Sequence, residues 1–139
     1  MFATMCTEWR APSVCPYHPA PAAGFSSVTA SRIFWLVHER DIEAAARYAR
    51  AVFHSQHAQA RSPNTWADCV ELARQAGVDP VHLVEAEQVG RGRELFREAT
   101  AVAVAQGVWG TPSFVADGEL FWGCDRLAQL DDWLRTGGW

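Results

Sequence analysis

From Ser26 onward apolar positions recur at three- and four-residue intervals, the period of a helix with one buried face. Ser26 or Ser27 can cap a first helix that carries Val28, Ile33, Phe34 and Leu36. His38-Glu39-Arg40 breaks the pattern, and Asp41 can cap a second helix. The second stripe reads Ile42, Ala45, Ala46, Ala49, Val52 and Phe53. Ser62-Pro63 has the form of a cap followed by proline at the first helical position. The helix it predicts runs through Trp66, Cys69 and Ala73 to Gly77. Asp79-Pro80 repeats the start signal for a short helix through Leu83 and Val84. After a break around Gly90 to Gly92, another helix carries Leu95, Ala99, Val102 and Gln106 on one side and ends at Gly107.

The period then changes. Ser113 to Ala116 and Leu120 to Trp122 are short apolar segments joined by Asp117-Gly118, a strong hairpin signal. A last helix from about Asp125 to Arg135 carries Leu127, Leu130 and Leu134, with Trp133 beside them. The predicted fold is mostly α with a C-terminal β-hairpin. Two strands alone are marginal in water, and these are apolar on both faces. They read as part of a larger sheet. Residues 1–25 show no period, and Pro12, Pro16, Pro19 and Pro21 exclude helix and central strand there. They read as an irregular leader.

Composition narrows the function. At 139 residues the chain has the length of one domain, and 49% apolar with 20% charged residues is ordinary for a globular protein. A net charge of −4 provides no basic field for nucleic acid or anionic lipid. No apolar run is long enough to span a membrane, and Met1 to Cys6 lacks the basic-then-apolar form of a secretory signal, so a cytoplasmic location is expected. All 12 basic residues are Arg, which excludes Schiff-base lysines and lysine phosphate loops. Cys6, Cys15, Cys69 and Cys124 match no zinc framework and read as free thiols. His54 and His57 have the spacing of a metal pair, but no third ligand is near in sequence, so they read as solvated.

The informative segment is Gly107-Val108-Trp109-Gly110-Thr111-Pro112-Ser113-Phe114-Val115. Helix end, short loop, residue-Pro and strand form the layout of the cis-proline loop of thioredoxin-like folds. Asp117-Gly118 then returns the chain to Gly123-Cys124-Asp125-Arg126, which starts a helix. Residues 107–139 together resemble the C-terminal part of the 2-hydroxychromene-2-carboxylate isomerases. These are DsbA-like members of the thioredoxin superfamily, alongside kappa-class glutathione transferases. The resemblance extends over about residues 26–139. It implies a partial, DsbA-type thioredoxin-like α/β domain: a helical insertion plus the C-terminal half of that fold.

The resemblance also implies glutathione as cofactor and a bicyclic aromatic carboxylate as substrate. It places the backbone pairing to the cysteinyl part of glutathione on Thr111, beside Pro112. The contacts to the γ-glutamyl end fall on the Cys124 backbone and on Asp125. Asp125 also has the plain reading of a helix cap, and Arg126 that of a solvated charge. Trp109 and Trp122 flank the loop, with core packing favoured over contact with an aromatic substrate. The family's catalytic serine follows a first strand that Met1 to Gly24 is too short and proline-rich to supply, so no catalytic residue is assigned and weak or absent isomerase activity is expected. Two other readings stand beside this one. Cys15-Pro16-Tyr17-His18 resembles a glutaredoxin-type Cys-Pro-Tyr-Cys, pointing to a thiol-disulfide oxidoreductase. Unpaired strand edges point instead to a non-catalytic binding or assembly fragment that self-associates.

Overall fold

The computed structural model describes residues 26–138. Among them are six α-helices, a two-stranded antiparallel sheet and one short 3₁₀ turn. The chain packs as two compact units that meet in sequence between Gly92 and Arg93. No helix among the described residues is long and apolar enough to cross a membrane.

The first unit is helical. Helix α1 spans Val28–His38, α2 Ile42–Ala58, α3 Trp66–Gln75 and α4 Pro80–Gln88. Helix α1 is its centre and touches each of the other three. It buries Ala30, Ile33, Leu36 and Val37. Ile33, Tyr48, Leu83 and Cys69 are almost completely enclosed. Each large apolar side chain so enclosed stabilises the fold by about 1.5–3 kcal/mol relative to exposure. Asp41 begins α2 as expected: its Oδ1 accepts from the amides of Glu43 and Ala44, both at 2.9 Å. The Ala44 amide bond is the main cause holding the Asp41 carboxyl below the usual range. Asp79 begins α4 in the same way, accepting from the Val81 amide at 3.0 Å, with Pro80 at the first helical position.

Two readings of this unit are corrected. Helix α2 buries Ala44, Ala45 and Tyr48, whereas Ile42 and Phe53 of the expected stripe are 65% and 64% exposed. Helix α2 packs against both α1 and α3, and the face it buries is the one that carries Ala44, Ala45 and Tyr48. Helix α3 begins at Trp66, not after Ser62. Thr65 is its cap, in a reciprocal box: the Thr65 Oγ1 accepts from the Asp68 amide at 3.1 Å, and Asp68 Oδ2 accepts from the Thr65 amide at 3.2 Å. Pro63 instead fills the core, and its carbonyl accepts from the Cys69 Sγ–H at 3.3 Å.

Helix α5, Arg91–Ala105, leads from the first unit into the second. Gly92 is buried where a Cβ would stand only 3.1 Å from Leu36 Cδ1. Strands β1, Ser113–Ala116, and β2, Glu119–Trp122, pair with Phe114 opposite Phe121 and Val115 opposite Leu120. Asp117 and Gly118 turn the hairpin with φ of +51° and +85°, a conformation suited to this dipeptide. Gly123 leads into the 3₁₀ turn Cys124–Arg126, and α6 follows at Leu127–Thr136. Helix α6 packs on β1. Its inward residues are Leu130 and Trp133, and Leu134, expected on the stripe, is 61% exposed. The Trp133 ring meets the buried Phe121 edge-on at 5.8 Å, and its Nε1–H donates to Asp117 Oδ2 at 3.2 Å. That indole ties helix, strand and hairpin turn together.

Candidate functional site

Just past the end of helix α5, Gly107 has a φ of +77° that lets its amide return to the Val104 carbonyl. The chain then crosses Trp109, Gly110 and Thr111 to β1. The Thr111–Pro112 peptide bond is cis. Two bonds brace this loop. The Ser113 Oγ–H donates to the Gly110 carbonyl at 2.6 Å, and the Gly123 amide donates to the Pro112 carbonyl at 2.9 Å. The second bond extends the hairpin ladder by one pair beyond the strands. It brings Thr111-Pro112 and Cys124-Asp125 to the same end of the hairpin.

The bonding at this end leaves polar backbone available. In an antiparallel pair, directly bonded residues alternate with residues whose N–H and C=O point outward. Pro112 and Gly123 bond each other, so the next residues, Ser113 and Trp122, direct theirs to the free edges. Among the described residues none bonds the backbone N–H or C=O of Thr111. The amides of Cys124 and Asp125, at the start of the 3₁₀ turn, likewise donate to no described residue.

Asp125 is not a helix cap. Gly123 occupies the cap position of the turn and Arg126 that of α6, and neither makes a side-chain cap bond. The Asp125 carboxylate folds back over Gly123, against the place a Cβ would take. Gly123 has a φ of +101°, so a side chain there is excluded both by strain and by Asp125. Asp125 is 78% exposed, with Arg126 Nε 3.7 Å from its Oδ2. Arg126 also donates to Gln129 Oε1 at 3.0 Å. Cys124 is an exposed free thiol.

Trp109 and Trp122, expected mainly in the core, are both exposed and stack on each other beside this loop. Their ring centroids are 4.1 Å apart and their planes 36° from parallel. Gly110 lies under the Trp122 ring, where a Cβ would stand 2.5 Å from Trp122 Nε1; the sequence shows it only as part of the loop. Its role is not visible there, because it depends on which way the Trp122 ring lies.

Elsewhere, a shallow cleft of about 320 Å³ in the first unit is lined by Leu36, Arg40, His82 and Glu85 among others. Burial is the main cause lowering the His82 pKa. The cleft shares no residue with the hairpin loop and mixes charges of both signs, so it defines no chemistry. His57 stacks on Phe53 on α2. Among the described residues no group of three or more His, Cys, Asp or Glu could hold a metal ion. Cys15 lies outside the described residues, as do the leader prolines.

The architecture has counterparts among known proteins. A family model described as a DsbA-like thioredoxin domain matches residues 1–135. A 2-hydroxychromene-2-carboxylate isomerase of Sphingobium xenophagum is 28% identical over 98 residues, 70% of this chain and 50% of that protein. The match spans about half the length of that curated relative.

Proposed function

Because the chain belongs to the DsbA-like thioredoxin domain family, we propose that the open end of its hairpin binds glutathione in an extended form. The observation that carries this reading is the Gly123-to-Pro112 bond, which sets Thr111 and Asp125 at one end of one hairpin. Thr111 offers a backbone donor and acceptor without described partners, the groups that an extended cysteinyl segment pairs with. The Cys124 and Asp125 amides suit the γ-glutamyl carboxylate, and the Asp125 carboxylate suits the α-ammonium. The residues present therefore fit glutathione, whose thiol would supply the nucleophilic chemistry when bound. The function we propose is a role in a glutathione-dependent isomerisation of an aromatic carboxylate; the relative is named for isomerising 2-hydroxychromene-2-carboxylate. The described residues supply ligand-holding groups, and no catalytic residue is assigned among them. Weak turnover by this chain alone is the expectation.

The test is calorimetric titration of glutathione into the protein and into Asp125→Asn. An exposed charge pair is worth about 0.4–1 kcal/mol at the upper part of its usual range, so the variant should bind roughly two- to fivefold more weakly. Its melting temperature should not change, because Asp125 makes no cap bond. Unchanged affinity, or no binding to the parent protein at millimolar glutathione, would overturn the reading.

A further inference from the structure

Residues 110–112 bend the chain into β1, and a side chain closes the bend. Such a bend is often closed by the amide three residues on, donating back to the first carbonyl. Here the Ser113 Oγ–H makes that bond, to the Gly110 carbonyl at 2.6 Å. A carbonyl only accepts, so the hydroxyl is the donor. The Ser113 amide takes no part and is left to the free edge of the sheet. Among the described residues no other group bonds the Gly110 carbonyl.

The Gly110–Thr111 peptide is planar and trans, so its carbonyl oxygen and the Thr111 N–H point in opposite directions from one rigid plate. Holding the oxygen on Ser113 therefore turns the Thr111 N–H away from Ser113. Thr111 is exposed, and its N–H donates to no described residue. Ser113 is itself fixed, because it stands opposite Trp122 between the Gly123-to-Pro112 bond and the Phe114–Phe121 pair. Its hydroxyl ties the loop peptide to the paired strands. Gly110 is what makes such a tie necessary. Without a Cβ, glycine accepts both orientations of the peptide that follows it. A side chain that would restrict it is excluded, because a Cβ at Gly110 would stand 2.5 Å from Trp122 Nε1. Among the described residues the Ser113 bond is the one that selects a single orientation.

We infer that Ser113 is the positioning residue of this loop: its hydroxyl holds the Gly110–Thr111 peptide and so sets the direction in which Thr111 presents its amide to a ligand. The inference rests on the glutathione reading above for the identity of that ligand. It adds a residue that touches no ligand and acts only through Thr111.

Ser113→Thr and Ser113→Val test this as a matched pair, since the two side chains share a shape and only Thr keeps the hydroxyl. Both residues are favoured in strands, so the hairpin should form in each. The first readout is the amide NMR spectrum of the ligand-free protein. The Thr111 signal should move in Ser113→Val and stay near its parent position in Ser113→Thr, with the Glu119 and Leu120 signals unchanged in both. The second is calorimetric titration of glutathione. A peptide that keeps the productive orientation about a third of the time binds about threefold more weakly. That loss is expected in Ser113→Val, whereas Ser113→Thr should match the parent. Equal Thr111 signals in the two variants, or a displaced signal with unchanged glutathione affinity, would overturn the inference. Displaced Glu119 and Leu120 signals in Ser113→Val would also overturn it, because the hydroxyl would then only brace the hairpin. If Thr crowds the bend and departs from the parent, Ser113→Ala compared directly with the parent is read by the same criteria. A parent protein that ignores millimolar glutathione, with a Thr111 signal that still follows the hydroxyl, removes the functional reading and keeps Ser113 as the residue that orients Thr111. Glutathione binding that is equal in Ser113→Val and Ser113→Thr does the reverse.

Discussion

Tyr48 and Cys69 show how much one buried contact can depend on a neighbour far along the chain. Cys69 reads from its helical position as a small core residue, and the structure encloses it. Nothing in the spacing near Tyr48 announced that its hydroxyl would be buried beside that thiol. The two lie together without a hydrogen bond of full geometry, and burial is the main cause pushing both acids upward. Each is neutral in the folded state and ionises more easily unfolded, from ordinary values of 10.0 for Tyr48 and 9.0 for Cys69. Folded pKa values above unfolded ones give a contribution that is complete below the unfolded values and lost as pH rises. The melting temperature should therefore fall as pH rises through about 9 to 10. Tyr48→Phe should cost little near neutral pH, since the hydroxyl has no well-formed bond to lose, and should reduce the alkaline fall. Thermal melts of both proteins between pH 7 and 10.5 check this, and identical curves would contradict it.

At the scale of elements, starts and stops were more legible than buried faces. Asp41, Asp79-Pro80, Gly107 and Asp117-Gly118 mark what they were read to mark, because each acts through backbone bonds within a few residues. The exception is instructive. Ser62-Pro63 and Thr65-Trp66-Ala67-Asp68 both carry a start signal, and the helix takes the second. Pro63 is needed in the core, and the reciprocal Thr65 and Asp68 bonds satisfy two helix-end amides at once. Thr65→Ala should therefore cost about 1 kcal/mol of stability, while Ser62→Ala should stay within about 0.5 kcal/mol of the parent. Urea unfolding of the two variants distinguishes the caps, and a larger loss at Ser62 would reverse the assignment. Faces were harder. On α2, α5 and α6 several residues of the expected stripes are exposed, among them Ile42, Val102 and Leu134. A pattern of period 3.6 specifies that a helix has an apolar side, and its partners choose which part of that side is covered.

For the whole molecule, the sheet is the part least complete in itself. Among the described residues no third strand pairs with either edge of the hairpin. One face is covered by α6, while Val115 and Trp122 remain exposed on the other. Open edges and exposed apolar rings favour pairing between copies. The purified protein should show a sedimentation coefficient that rises with concentration. Polar substitution at Val115 should lower that association, and a single concentration-independent monomer would count against it.

Local sequence determined the order of elements, the hairpin, and the position of the loop around Thr111-Pro112. It also carried the resemblance to the DsbA-like family, because turn chemistry and strand alternation act over a few residues. Tertiary structure decided which helix faces are buried, that Thr65 rather than Ser62 begins α3, and that Asp125 lies against Gly123 instead of capping a helix. It also decided that Trp109 and Trp122 stack in the open over Gly110. Those outcomes depend on the direction in which residues distant in sequence approach, and no short-range pattern contains that direction.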